Sequence, residues 1–283
     1  MIGLGLSIAL VGAFGYALGA AVQQREAAVL GATLELTRRL RWWVGGIIGF
    51  TGACLHAVAL SFAPLTVIQP VGVATLVFAV PLAAWLHGRR PLRLEIIGSL
   101  VVAAGLLLLM LLIPTHHKVP VLGHGSAIGF IATVGIIVAI CLAVASRLHG
   151  SARALVLSVG AGVVTATVST FVRVVGANLT RDFATVLHWF TVAIPLLLIG
   201  AVVLLQKSYA VGHFGVAYAG VQVVDPITSV TAGVVLLGEQ LPVGLGSVAL
   251  ALVAASLVIA GTVTLAKLTP DHTRKEPVGS SAM

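Results

Sequence analysis

The stretch Gln222–Pro242, QVVDPITSVTAGVVLLGEQLP, decides how this chain is read. Asp225 is the midpoint of an apolar segment from His213 to Leu237, long enough to cross a bilayer. A carboxylate at that depth costs about 2.5 to 3.5 kcal/mol even on the lenient insertion scale, so it reads as a functional group. Pro226 has no N–H, so in a helix the carbonyl of Gln222 loses its partner and the backbone ladder breaks. A bare carbonyl survives in hydrocarbon only where protein or a wet cavity covers it. At helical spacing Tyr218, Gln222, Asp225 and Ser229 fall on one stripe, which predicts one polar face.

Working outward, the 283 residues are 59% hydrophobic and 8% charged, with a mean hydropathy of +1.14. A soluble domain carries about 25% charged residues, so the composition predicts an all-α polytopic membrane protein. Residues 1–266 read as a single transmembrane domain, and 267–283 as a polar, disordered tail. The formal charge of +8 raises the question of nucleic acid, but the basic residues sit in short loops between apolar runs. That is a topology signal, so no nucleic-acid partner is expected. Cys54 and Cys141 lie inside apolar segments and read as small buried hydrophobes. No Ser-His-Asp set, metal cluster or phosphate loop is present, so neither enzyme chemistry nor a cofactor is expected.

Nine segments are long enough to span: 2–22, 42–62, 66–86, 95–113, 126–146, 154–176, 185–205, 213–237 and 243–266. Residues 23–41 carry Glu35 and too short an apolar run, and read as a surface loop or short amphipathic helix. With the N-terminus outside, the inner loops hold Arg25, Arg38, Arg39 and Arg41, then Arg89, Arg90 and Arg93, then Arg147 and Arg153, then Lys207. Lys267, Arg274 and Lys275 of the tail fall on the same side, and only Lys118 and Arg181 fall outside. Positive-inside bias therefore predicts an N-out, C-in protein of the cell (inner) membrane. Trp42, Trp43, Trp85 and Trp189 lie near predicted helix ends, where indoles favour the headgroup level.

The chain also matches itself weakly but in order. VGA at 11–13 with Arg25 recurs as VGA at 159–161 with Arg173. Pro91 with VVAAGLLLL from Val101 recurs as Pro242 with LVAASLVIA from Leu252. Helices one to four (1–114) then correspond to helices six to nine (154–266), and a fifth (126–146) is a linker that reverses the second set. Inverted repeats of this kind hold substrate and coupling-ion sites near the midplane between the halves. The repeat carries its own sign test: the loop HGRRPLR would lie inside and is basic, whereas its counterpart LGEQLP would lie outside and has Glu239.

The segment VVDPITSVTAGVVLLGEQ resembles the penultimate helix of EamA-type permeases of the drug/metabolite transporter superfamily, with an acidic-Pro pair and a Gly-Glu end. Here these are Asp225, Pro226, Gly238 and Glu239. LSFAPLTVIQPVGVATLVFAVPLAAWLHGRR at 60–90 and AAVQQREAA at 20–28 resemble NIPA-like and related bacterial permeases. Nine helices rather than ten match the NIPA-like branch, and Asp replaces the family's frequent Glu before the Pro. The resemblance runs from Val11 to about Ala266 and implies a small-solute permease with two inverted halves. Its partners would be the lipid bilayer, a small organic solute and H⁺, or Mg²⁺ in the NIPA-like reading; a homodimer stays open.

Asp225 is thus a candidate proton or cation site, or else a structural Asp paired with a polar neighbour or Arg. Gln69 and Pro70 echo the Asp-Pro pair in the first half, as TVIQPV against QVVDPI, for substrate contact or for a helix–helix hydrogen bond. His56 shares a stripe with Gly45, Gly49 and Gly52 and reads first as a buried seam residue, second as a ligand. Tyr16, on a stripe with Gly12, Gly19 and Gln23, lines the same cavity or simply packs. Arg173, on one face with Thr165 and Ser169, snorkels to headgroups or attracts an anion, a phosphate in the case of a lipid-linked metabolite flippase. His116, His117 and His124 in a loop lack Cys or acidic partners and read as solvated. A non-transporting accessory protein is a further class, in which Asp225 would be sealed in a dry helix interface.

Overall fold

The computed structural model describes residues 2–59, 62, 65–111, 122–178, 189–211, 214–237 and 244–268. Among these the chain is helical without strands: α1 (Ile2–Leu30), a 3₁₀ turn (Leu34–Arg38), α2 (Leu40–Ala59), α3 (Leu65–Leu86), α4 (Arg93–Leu111), α5 (His124–Ala145), α6 (Gly150–Asn178), α7 (Trp189–Val211), α8 (Phe214–Leu237) and α9 (Leu245–Ala266). Seven of them are long and apolar enough to cross a bilayer by length and composition. They expose many Leu, Ile, Val and Phe side chains, which suit a hydrocarbon solvent. The molecule is a multi-pass, all-α membrane protein.

Three readings of the sequence change. The first helix does not stop at Val22 but continues to Leu30, and only 34–38 of the expected loop forms a separate 3₁₀ turn. The reason is packing: Gln24 is fully buried on the alanine-rich face of α1 that also carries Ala17, Ala21 and Ala27. Second, α8 runs through Pro226 and α3 through Pro70 without interruption, so proline removes one backbone bond and does not break the helix. Third, Cys54 is exposed on α2, while Cys141 is buried as expected. Tryptophans behave as read: Trp42 and Trp43 open α2, Trp85 closes α3 and Trp189 is the first residue of α7.

Small residues set the closest helix contacts. α1 and α2 approach so tightly that a methyl on Gly12 would sit 2.8 Å from the Gly52 carbonyl oxygen, and one on Gly19 2.7 Å from Gly49 Cα. α1 also packs on α3, where Phe14 meets Phe78 edge-on with centroids 5.8 Å apart. In the second half α6 packs in the same way on α7 and α8, with Ser208 donating to the Ala154 carbonyl at 2.7 Å and Gly162 lying under Val224. The last helices of the two sets, α4 and α9, pack on each other and run antiparallel. A methyl on Gly105 would meet the Ala254 oxygen at 2.8 Å, and one on Gly261 the Gly98 oxygen at 2.8 Å.

The turn between α3 and α4 is fixed by charge. Gly88 adopts φ 69°, a left-handed value suited to glycine, which turns the chain after α3. Arg89 then grips Glu95 with two donors, at 2.8 and 2.7 Å, and the Leu92 N–H donates to Glu95 at 2.7 Å. Glu95 is the third residue of α4, so its carboxylate accepts from an otherwise orphaned backbone amide at the helix start.

Candidate functional site

α8 presents its polar stripe to the middle of the bundle. Gln222, Asp225 and Ser229 line a cavity of about 290 Å³ together with Pro226, with His56 of α2, Gly72, Val73 and Leu76 of α3, Leu106 and Met110 of α4, and Ser169 of α6. A second cavity of about 220 Å³ shares His56, Gly72 and Gln222 with the first and extends to Tyr16 of α1 and Thr75 of α3. Residues far apart in the chain, from both helix sets, therefore meet around one carboxylate.

The geometry of that carboxylate is simple. Ser229 Oγ donates to Asp225 Oδ1 at 3.2 Å, one helical turn away. Among the described residues no cation pairs with Asp225, so the arginine-paired alternative finds no partner here. Because the pair Ser229–Asp225 lies within one helix, it orients the carboxylate without tying α8 to a neighbour.

Gln222 does tie α8 to a neighbour. Its side-chain amide donates to Thr75 Oγ1 at 2.6 Å, and Thr75 in turn donates to the Gly72 carbonyl at 2.7 Å. The threonine hydroxyl thus has its donor and acceptor roles assigned, and the α3–α8 crossing is held beside the cavity. Gly72 is close enough to the imidazole that an added methyl would lie 3.5 Å from His56 Cε1. Glycine there leaves the ring its position against the cavity wall.

The remaining expected residues divide. Tyr16 and His56 both reach the cavity, and the glycines beside them supply the α1–α2 seam. Tyr218 shares the α8 stripe but does not line either cavity: it is buried in an aromatic column with Phe214 and Tyr209, centroids 5.2 and 5.4 Å apart. Arg173 is exposed and lies outside both cavities, although Ser169, one turn earlier, lines the first. The side chains of Gln69 and Pro70, together with His116, His117, Gly238 and Glu239, lie outside the described residues. His124 starts α5 on the surface. Among the described residues no group of three His, Cys, Asp or Glu side chains is arranged to hold a metal.

Thr75 is the functional-site residue that sequence reasoning missed. One hydroxyl in an apolar helix gives little signal, since Thr commonly bonds its own backbone. Chemically, the site offers one ionisable carboxylate, an imidazole, a phenol, an amide and hydroxyls on apolar walls. Such a set can hold a proton or a small polar or cationic solute.

No family model matches the chain, and no solved structure matches it. An uncharacterized protein of Corynebacterium glutamicum is 25% identical over 241 residues, covering 79% of this chain and 80% of that protein.

Proposed function

We propose that the protein is a secondary active transporter of the drug/metabolite transporter type, coupled to protons, that moves a small organic solute by alternating access around Asp225. The observation that carries this reading is the position of the Asp225 carboxylate. It lines a largely apolar cavity between helices from distant parts of the chain, with Ser229 on its own helix as its hydrogen-bond donor. A structural carboxylate in hydrocarbon is normally matched by a cross-helix partner, whereas one that loads and releases a proton needs access and a loose hold. Antiparallel packing of α4 against α9, and the matching neighbours of α1 and α6, support two halves of opposite orientation. The basic loops support an N-out, C-in arrangement.

The Mg²⁺ reading has less support, because hard cations gather several oxygen ligands and this cavity has one carboxylate. The lipid-linked metabolite reading loses the residue that suggested it, since Arg173 is outside the cavity.

Uptake by proteoliposomes tests the proposal. With a panel of radiolabelled amines, amino acids and sugars, an imposed pH gradient should drive accumulation of at least one class, and Asp225→Asn should stop it. Equal flux in the wild type and Asp225→Asn would reject the mechanism.

A further inference from the structure

Away from the central site, a cavity of about 440 Å³ opens where α5 and α7 end and α6 begins, beside the turn after α1. Its polar lining is Arg153, Lys207 and Ser146, and its walls include Leu142, Leu157 and Val211. Among the described residues no acidic side chain lines it. The Arg153 Nε is buried and has no hydrogen-bond partner among the described residues. Burying a guanidinium nitrogen without an acceptor is costly unless something else accepts from it.

Helix geometry points the same way. Arg153 lies in the first turn of α6, whose N-terminal amides already carry partial positive charge, so a cation there is unfavourable by itself. Lys207 adds a second positive charge across the same space. One anion between them would accept from the arginine and neutralise the lysine. The planar guanidinium fork suits the oxygens of a phosphate. Apolar walls beside these cations suit a ligand with a hydrocarbon portion, and α5, which packs chiefly on α6 alone, leaves that flank to lipid.

We infer that this cavity is a phosphate-binding site, filled by the headgroup of an anionic phospholipid whose acyl chains lie along α5. The site is separate from Asp225 and stands whether or not the protein transports a solute.

Thermal unfolding of the purified full chain tests the inference in detergent supplemented with phosphatidylglycerol, with phosphatidylcholine or with millimolar inorganic phosphate. Native mass spectrometry would count the lipid retained. Phosphatidylglycerol should raise Tm by about 3–6 °C over phosphatidylcholine, the shift expected of a ligand at roughly ten times its Kd. Arg153→Gln and Lys207→Gln, singly and together, should reduce or remove that shift. Arg147→Gln, an equal charge change outside the cavity, should keep it. If inorganic phosphate alone reproduces the shift, phosphate recognition stands and the ligand is soluble. Identical Tm in all three additives, or a phosphatidylglycerol shift that survives in the Arg153→Gln and Lys207→Gln variants, overturns the site. The wild-type lipid count decides the matter if the double variant fails to fold: no preference for phosphatidylglycerol also overturns it.

Discussion

Gln222 of α8 and Thr75 of α3 share a 2.6 Å hydrogen bond beside the cavity that holds Asp225. It joins α3 to α8 next to the carboxylate of the site. Interhelical hydrogen bonds in membranes contribute about 0.6 kcal/mol on average and up to about 1.7. A double-mutant cycle of Gln222→Leu and Thr75→Val, read by unfolding in detergent, should give a coupling energy within that range. Strict additivity of the two single effects would mean that the pair contributes nothing.

Asp225 is predicted to matter for flux and not for folding. Its bond to Ser229 is intrahelical, so Asp225→Asn, which keeps size and hydrogen bonding, should leave Tm within about 2–4 °C, an effect of order 1 kcal/mol. The same variant should abolish accumulation driven by a pH gradient. Asp225→Glu, which restores the charge, should recover part of it. A collapse in Tm with Asp225→Asn would assign the residue to structure.

At Gly12, Gly19 and Gly52 the α1–α2 seam leaves no room for a side chain. Gly19→Ala would set a methyl 2.7 Å from Gly49 Cα, against backbone that cannot rotate away, and should destabilise by about 1–3 kcal/mol despite alanine's better helix propensity. On α5, Gly129 and Gly135 meet nothing within 4 Å of an added methyl. Alanine there should be neutral or stabilising by up to about 1 kcal/mol. Thermal unfolding of the single variants separates the two classes.

Arg89 secures the turn into α4 by holding Glu95, whose side chain is fully buried. Arg89→Ala removes two charged donors from that carboxylate, and should cost about 3 kcal/mol, the lower end for a broken buried pair because the arginine is partly exposed. Arg89→Lys should restore less than half, since an ammonium cannot make the two-pronged contact. Full recovery by lysine would show that charge alone suffices.

Much of the helical architecture was legible in the sequence because bilayer-length apolar runs have few other solutions. The polar stripe of α8 was legible for a related reason: steps of three and four residues fix Gln222, Asp225 and Ser229 on one face whatever surrounds the helix. What the sequence did not disclose depends on neighbours. Tyr218 has the same spacing but turns out to stack on Phe214, because the column of rings offers it more contact than the cavity does. Thr75 acquires its role from an amide 147 residues away. Gln24 resembles a loop residue by type, yet is buried by the close approach of its alanine-lined helix to others. Prolines 70 and 226 were overread, since one missing backbone bond does not interrupt a helix supported on either side.

The α4–α9 contact also bears on how the molecule is made. Gly98 and Gly105 meet a partner that emerges from the ribosome well after α4 itself. Until then the glycine groove of α4 has only lipid against it. The groove therefore cannot close before α9 is made, and a nascent chain stalled before α9 would lack the helix that packs against α4.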